Sequence, residues 1–395
     1  MKPRSDIKHV LLAPSWYPDQ RLPHNGTFFR EQAQMLRDAG YKVGVVALDA
    51  PLLPLRWDFR LKASEEDGIT VIRSKLPQVM WQELPGDAAT SRLVSRRALQ
   101  KYANINGKPD IVHAHSVFPG IYTAASASAL WDIPYVITEH RPSSLERPKK
   151  SGRWKSLAKA VRQANGRAAV SRIFAAKLTS YYSTDPWDVI SLPVPDELSN
   201  GKLPVFSPEQ PFTFVHVSYW DNNKRVEMTL RAFARARSVN PKIKMVFAGG
   251  DKYSLNKMSN LKMDLGIKDC VELLGKVDRS EISSLLSQAH CFVLASAVES
   301  AGAVFAEAQM AGLPCIGTLT YGGDYMIEPK TGIQVPVDDE DALAQAMIDM
   351  AIDRHEKFRP ENIRKRAKER FSEKTFVAAS TDFYNSALHN YQAKK

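Results

Sequence analysis

Short apolar runs alternating with longer helical patterns, in two separate series, constrain the fold of this chain more than any other feature. In the first series "HVLLAPS", "KVGVVAL", "DIVHAHS" and "PYVITEH" read as strands, with helices such as "TFFREQAQMLRDAG" between them. In the second, "FTFVHVS", "IKMVFAGG", "HCFVLAS" and "PCIGT" alternate with "RVEMTLRAFARARSV", "RSEISSLLSQA" and "SAGAVFAEAQMAG". Runs that are apolar throughout belong to strands buried on both faces, so each series predicts a parallel sheet covered by helices. Between the series lies "LPVPDELSNGKLPVFSPEQP", with five of the chain's 24 prolines and an Asn200-Gly201 pair. That composition resists helix and central strand alike and reads as a linker. The expected fold class is α/β, with two doubly wound Rossmann-like domains.

The length of 395 residues also exceeds one ordinary core. No run approaches the ~18 apolar residues of a spanning helix, and the apolar stretch after "MKPRSDIK" is too short for a signal peptide. Cys270, Cys291 and Cys315 are widely spaced and follow neither a disulfide framework nor a zinc pattern, so a reducing cytoplasm is expected. Charge is uneven. Residues 1–191 hold 28 Lys+Arg against 17 Asp+Glu, whereas residues 192–395 hold 26 of each, so the whole net charge of +11 sits in the first half. Such asymmetry points to an anionic partner for one domain only, nucleic acid or an acidic membrane surface.

In doubly wound folds ligands sit beyond the carboxyl ends of the strands. The loops there carry the chemistry. After the first strand, Asn25-Gly26-Thr27 predicts a tight turn opening a helix whose free N–H groups would serve a ligand. After "CFVLA" comes "VESAGAVFAEAQMAGLP", where Gly302 would start a helix suited to a phosphate and Glu299 and Glu307 flank it. Carboxylates among apolar residues need partners, and vicinal sugar hydroxyls are suitable ones. Taken alone, Glu307 reads equally well as a helix-surface residue and Glu299 as a charge favouring the helix start.

The stretch "ESAGAVFAEAQMAGLPCIGT" resembles the E-x7-E motif of glycosyltransferase family 4, the retaining transferases of the two-domain GT-B fold, whose two Rossmann-like domains face a central cleft. "GGDYMIEPKTGIQVPVDDEDALAQAM", "DIVHAHS", "IPYVITEH" and "NGTFFREQ" extend the resemblance over nearly the whole chain. It implies a first, acceptor-binding domain over 1–198, with the C-terminal helix at about 375–390 packing back on it, and a donor-binding domain over 199–374. Glu299 would contact the donor sugar and Glu307 the ribose hydroxyls. Lys224 would offset the diphosphate charge with help from Arg225 and from the helix start at Gly302, Ala303 and Val304. His140 would hydrogen-bond the sugar. Gly26 and the backbone near Val277, within "LLGKVD", complete the donor contacts, and His115, Asn25 and Thr27 are the acceptor-side candidates. The sequence departs from the family at Ser218 and Tyr219, where members often carry an arginine.

Other signals lead elsewhere. Asp339 and Asp341 form a D-x-D of the kind that binds metal in other glycosyltransferases, but they precede a helical pattern and read as a cap. No metal and no cofactor beyond the nucleotide-sugar substrate is expected, and no recognition motif supports nucleic acid. "SGRWKSLAKAVRQANGR" places Trp154, Leu157, Ala158 and Val161 on one stripe, with Lys155, Lys159 and Arg162 around it. "SRLVSRRALQKY" adds Arg92, Arg96, Arg97 and Lys101. These helices either meet an anionic membrane or pack their stripes on the sheet. The expected activity is transfer of a hexose from a nucleotide diphosphate donor to a hydroxyl of a glycan or lipid-linked acceptor in cell-surface polysaccharide synthesis. An inactive nucleotide-sugar-binding partner, an epimerase and a phosphorylase are the rival readings. The expected place is the cytoplasm, at the inner face of the cell membrane.

Overall fold

A computed structural model describes residues 6–20, 22, 25–49, 60–75, 86–146, 149, 151–207, 209–352 and 357–395. Arg21, Pro23 and His24 of the loop after the first strand, and Pro208 of the linker, lie outside the described residues. The chain divides into two compact units: Met1–Leu192 with Phe376–Lys395, and Pro193–Thr375. The first compact unit thus ends at Leu192, six residues before the expected boundary at 198. A short 3-10 turn, Asp196–Ser199, packs on helices of the second unit, which draws these residues across.

The first unit is built on β1 (His9–Pro14), β2 (Lys42–Asp49), β3 (Lys62–Glu66), β4 (Ile69–Lys75), β5 (Ile111–His115), β6 (Tyr135–Glu139), β7 (Gly166–Ala169) and β8 (Asp188–Val189). Its helices are α1 (Thr27–Asp38), α2 (Gly86–Asn106), α3 (Gly120–Trp131), α4 (Gly152–Gln163) and α5 (Arg172–Tyr182). The sheet order is β3-β4-β2-β1-β5-β6-β7-β8, parallel except for the β3–β4 pair. Every residue of β1, β5 and β6 is buried, as central strands covered on both faces require, and the polar His113, His115, Thr138 and Glu139 are buried with them. In α1 the buried Phe29, Gln32, Ala33 and Leu36 follow the i, i+3, i+4, i+7 spacing of a single stripe.

The second unit contains β9 (Phe212–Ser218), β10 (Ile243–Gly249), β11 (Val271–Gly275), β12 (Cys291–Leu294), β13 (Cys315–Thr318) and β14 (Gly332–Val335), all parallel, in the order β11-β10-β9-β12-β13-β14. Helices α6 (Val226–Val239), α7 (Lys252–Asp264), α8 (Arg279–Ser287), α9 (Ala303–Met310), α10 (Tyr321–Met326), α11 (Glu340–Ile352) and α12 (Pro360–Phe371) connect and cover the sheet. Helix α13 (Glu373–Gln392) returns to the first unit, where Phe376, Phe383 and Tyr384 enter a core shared with α1 and β1. Both units are thus Rossmann-like α/β domains.

The stripe of α4 packs inward, with Leu157, Ala158 and Val161 buried, so that stripe is not free to enter a bilayer. All three cysteines are buried free thiols. Among the described residues no helix is long and apolar enough to cross a membrane.

Candidate active site

In the second domain the winding reverses between β9 and β12, so the loops leaving their carboxyl ends diverge and open a crevice. Asn223 ties those two loops together. Its side chain donates to the Val298 carbonyl (3.0 Å) and accepts from the Val298 N–H (2.9 Å), while its own carbonyl accepts from the Ala297 N–H (2.8 Å). This clamp brings Lys224 to Glu299, 75 residues later in the chain, and their side chains form an ion pair at 20% and 14% exposure. Ser296 Oγ donates to the same carboxylate oxygen (2.9 Å). The Asp221 side chain accepts from the Lys224 N–H (3.1 Å) and holds the turn that presents the lysine.

Gly302, at φ 68°, caps α9, and Ala303 and Val304 carry free N–H groups of its first turn. The entry to that helix is held from the other side by Gly322, whose N–H donates to the Glu299 carbonyl (2.8 Å). A Cβ at Gly322 would lie 2.7 Å from the Ala301 backbone, so only glycine permits this approach. Glu307, one turn further along α9, lines a separate cavity of about 360 Å³ with Ser280, Ile282 and Ser283 of α8 and with Glu197. Val277 lies in a third place, a groove of about 820 Å³ between α8 and the strands β9 to β11. Arg225 does not join Lys224. Its guanidinium is engaged by the Asp338 carboxylate (2.5 and 3.2 Å).

At the corresponding position in the first domain, the winding reverses between β1 and β5. Gly26 caps α1 at φ 85°, and a Cβ there would lie 2.8 Å from the Trp16 ring, which explains glycine at this turn. Asn25 is exposed beside it and Thr27 opens the helix. The Phe29 ring lies 5.0 Å from both the His115 and His140 rings. His115 ends β5, His140 follows β6, and their rings meet through Nδ1 of His115 and Nε2 of His140, 3.2 Å apart. Burial pushes His115 down to about 3, and burial followed by the charge of its neighbours holds His140 well below the usual histidine range. Both rings are therefore neutral. One hydrogen links them, leaving Nε2 of His115 and Nδ1 of His140 without partners among the described residues. His113 differs: Tyr384 Oη (2.9 Å) and Thr138 Oγ1 (2.8 Å) occupy both its nitrogens, which makes it part of the core.

Sequence reasoning missed the residues that hold these loops. Glu139, fully buried, accepts from the N–H groups of Val117 (2.7 Å), His140 (2.7 Å) and Arg141 (2.8 Å) and from Ser144 Oγ (2.8 Å). A glutamate inside an otherwise apolar strand was its only signal. Asn223 and Ser296 carried no signal, since polar residues are ordinary in loops. Asp339 accepts from the Ala342 N–H (2.9 Å) as a cap of α11, and Asp341 pairs with Arg235. Among the described residues no group of three or more His, Cys, Asp or Glu is placed to hold a metal ion.

Residues 26–198 match the family described as Glycosyltransferase Family 4, and residues 204–370 match Glycosyl transferases group 1. The chain is 30% identical over 179 residues, 45% of its length, to the N-acetyl-alpha-D-glucosaminyl L-malate synthase of Bacillus anthracis. It is 27% identical over 287 residues, 67% of its length, to the D-inositol 3-phosphate glycosyltransferase of Pseudarthrobacter chlorophenolicus. The chain spans about half the length of the curated relatives it matches, 46% of the first of these two, rising to 67% of the second. The structure of HepE from Anabaena in complex with UDP superposes with a TM-score of 0.72 at 17% identity, covering 96% of this chain and all of that one.

Proposed function

The chain belongs to the family 4 glycosyltransferases of the GT-B fold, and we propose that it is a retaining hexosyltransferase using a nucleoside diphosphate sugar. Its acceptor in this proposal is a hydroxyl of a glycan or lipid-linked saccharide in cell-surface polysaccharide synthesis. The observation that carries the reading is the Lys224–Glu299 pair held at the switch point beside the start of α9. Glu299 orients the donor sugar through its hydroxyls, and Lys224 with the N–H groups of Ala303 and Val304 offsets charge developing on the leaving diphosphate. Glu307 accepts from the ribose diol. The UDP bound in the Anabaena structure supports a nucleoside diphosphate as the leaving group.

In the proposed reaction the bond from the anomeric carbon to the phosphate oxygen breaks. The bond to the acceptor oxygen forms on the same face, and the departing phosphate oxygen takes the acceptor's proton. The neutral rings of His115 and His140 hydrogen-bond hydroxyls in the first, acceptor-binding domain. The basic surplus of that domain supports a position at the inner face of the membrane. The rival reading as an inactive binding partner draws on Ser218 and on Tyr219, which is 68% exposed where family members often carry an arginine.

A thermal-shift panel of nucleotide sugars, followed by product analysis with glycan acceptors, tests the proposal. One donor should raise the melting temperature of the wild type and not of Lys224→Ala, and should yield a glycosylated product. A shift without product supports the inactive partner, and no shift with any donor sinks both readings. The proposal also requires no divalent ion, because Lys224 and the α9 start supply the positive potential. Activity should survive excess EDTA. Its loss, with rescue by magnesium or manganese, would overturn that part.

A further inference from the structure

Helices α2, α3 and α4 of the first domain border a surface pocket of about 390 Å³. Its rim carries Arg92 and Arg96 from α2 and Lys159 from α4, and no carboxylate lines it. The arginines are four residues apart and share one helix face, so like charges stand together. None of the three cations has an ion-pair partner among the described residues. Ala125, Ser126 and Ala129 on α3 leave space between the larger Tyr122 and Leu130 of the same helix. Ser156 also lines the cavity, and its hydroxyl oxygen is buried with no hydrogen-bond partner among the described residues.

From this we infer a binding site for a phosphate monoester. A dianion would remove the repulsion among the three cations, and its oxygens would accept from two guanidinium groups, an ammonium and a hydroxyl. The space exceeds a bare phosphate and falls within the range of small-ligand pockets, so the phosphate is one end of a larger molecule. That molecule is either a soluble phosphorylated metabolite or a lipid with a phosphate headgroup. The inference does not rest on the transfer reading, because no residue of the cavity belongs to the proposed transfer machinery.

Two charge-matched variants of the full chain test it. Arg96→Gln with Lys159→Gln removes one cation from each helix at the cavity. Arg97→Gln with Lys155→Gln removes one from each helix away from it. Inorganic phosphate and vesicles containing phosphatidic acid are the probes, with vesicles of equal charge made from phosphatidylglycerol as the diester control. Methyl resonances of Ala125 and Ala129 report occupancy of the cavity. The cavity pair should weaken binding by about ten-fold or more and the control pair by less than about two-fold, because only the first contributes charge-assisted hydrogen bonds. Ala129→Phe, which fills the space without altering charge, should act like the cavity pair. Methyl shifts with inorganic phosphate identify a soluble ligand, whereas binding confined to phosphatidic acid vesicles identifies a headgroup. Equal weakening by both pairs, equal binding to the diester vesicles, or no binding of either probe by the wild type would overturn the site. Donor-induced thermal shifts, which report the second domain, should be equal in both variants, so failure of this site leaves the transfer reading standing.

Discussion

Glu299→Ala is expected to lower turnover by one to two powers of ten while leaving the fold intact. The carboxylate lies on a loop at 14% exposure, bonded to Lys224 and Ser296, and no core side chain depends on it. Its removal leaves Lys224, at 20% exposure, without its carboxylate, so a stability loss of about 1 to 3 kcal/mol is expected, with the fold retained. The loss of turnover corresponds to about 1.4 to 2.7 kcal/mol of transition-state stabilisation. Glu299→Gln keeps the shape and a hydrogen-bonding oxygen and should fall between. Because Lys224 and Glu299 touch, the double alanine variant should lose less than the sum of the single losses. Rates are read with the true donor saturating, and unchanged turnover in Glu299→Ala would remove the residue from the site.

The second large effect is a loss of stability in mild acid that is unequal between the domains. His113, His115 and His140 in the first domain and His216 in the second are held neutral by burial, with His115 and His216 pushed down to about 3. Unfolding restores the ordinary histidine value near 6.5, so below that pH the unfolded chain binds more protons than the folded one. The stabilisation is therefore complete above about pH 6.5 and is lost as pH falls through it. His115 and His216, pushed down to about 3, should each cost about 2 kcal/mol between pH 6.5 and 5, and His113 and His140 act in the same direction. His9 of the first domain is lowered by burial as well, so with four such residues against one the first domain should melt first in acid. Hydrogen-exchange protection of β5 and β6 should collapse between pH 6.5 and 5 before that of β9 and β12. Equal acid sensitivity of the two domains, or melting independent of pH in this window, would contradict the assignment.

Much of the architecture was legible because its signals are local. Strands β1, β2, β5, β6, β9, β10, β12 and β13 are wholly or mostly buried, and continuous apolar runs announce them. β3 escaped for the opposite reason. Its sequence, KASEE, is exposed along nearly its whole length, and an edge strand paired on one side has no apolar pattern to show. Helix starts at Thr27 and Ala303 were readable from Gly26 and Gly302, because a left-handed residue before a helix favours glycine.

By itself the sequence determined two parallel α/β domains, the family, and the residue types at the strand ends, each of which depends on neighbours within a few positions. Tertiary structure alone decided which of those residues meet. Lys224 reaches Glu299 because β9 lies beside β12, and Asn223 locks the two loops. His115 reaches His140 because β5 lies beside β6. Arg225, adjacent to Lys224 in sequence, is instead engaged by Asp338, and Glu307 opens onto α8. Arg96 and Lys159 share a cavity, whereas their basic neighbours Arg97 and Lys155 do not line it. Strand order and helix rotation set these pairings, and both follow from how buried faces pack across the whole domain.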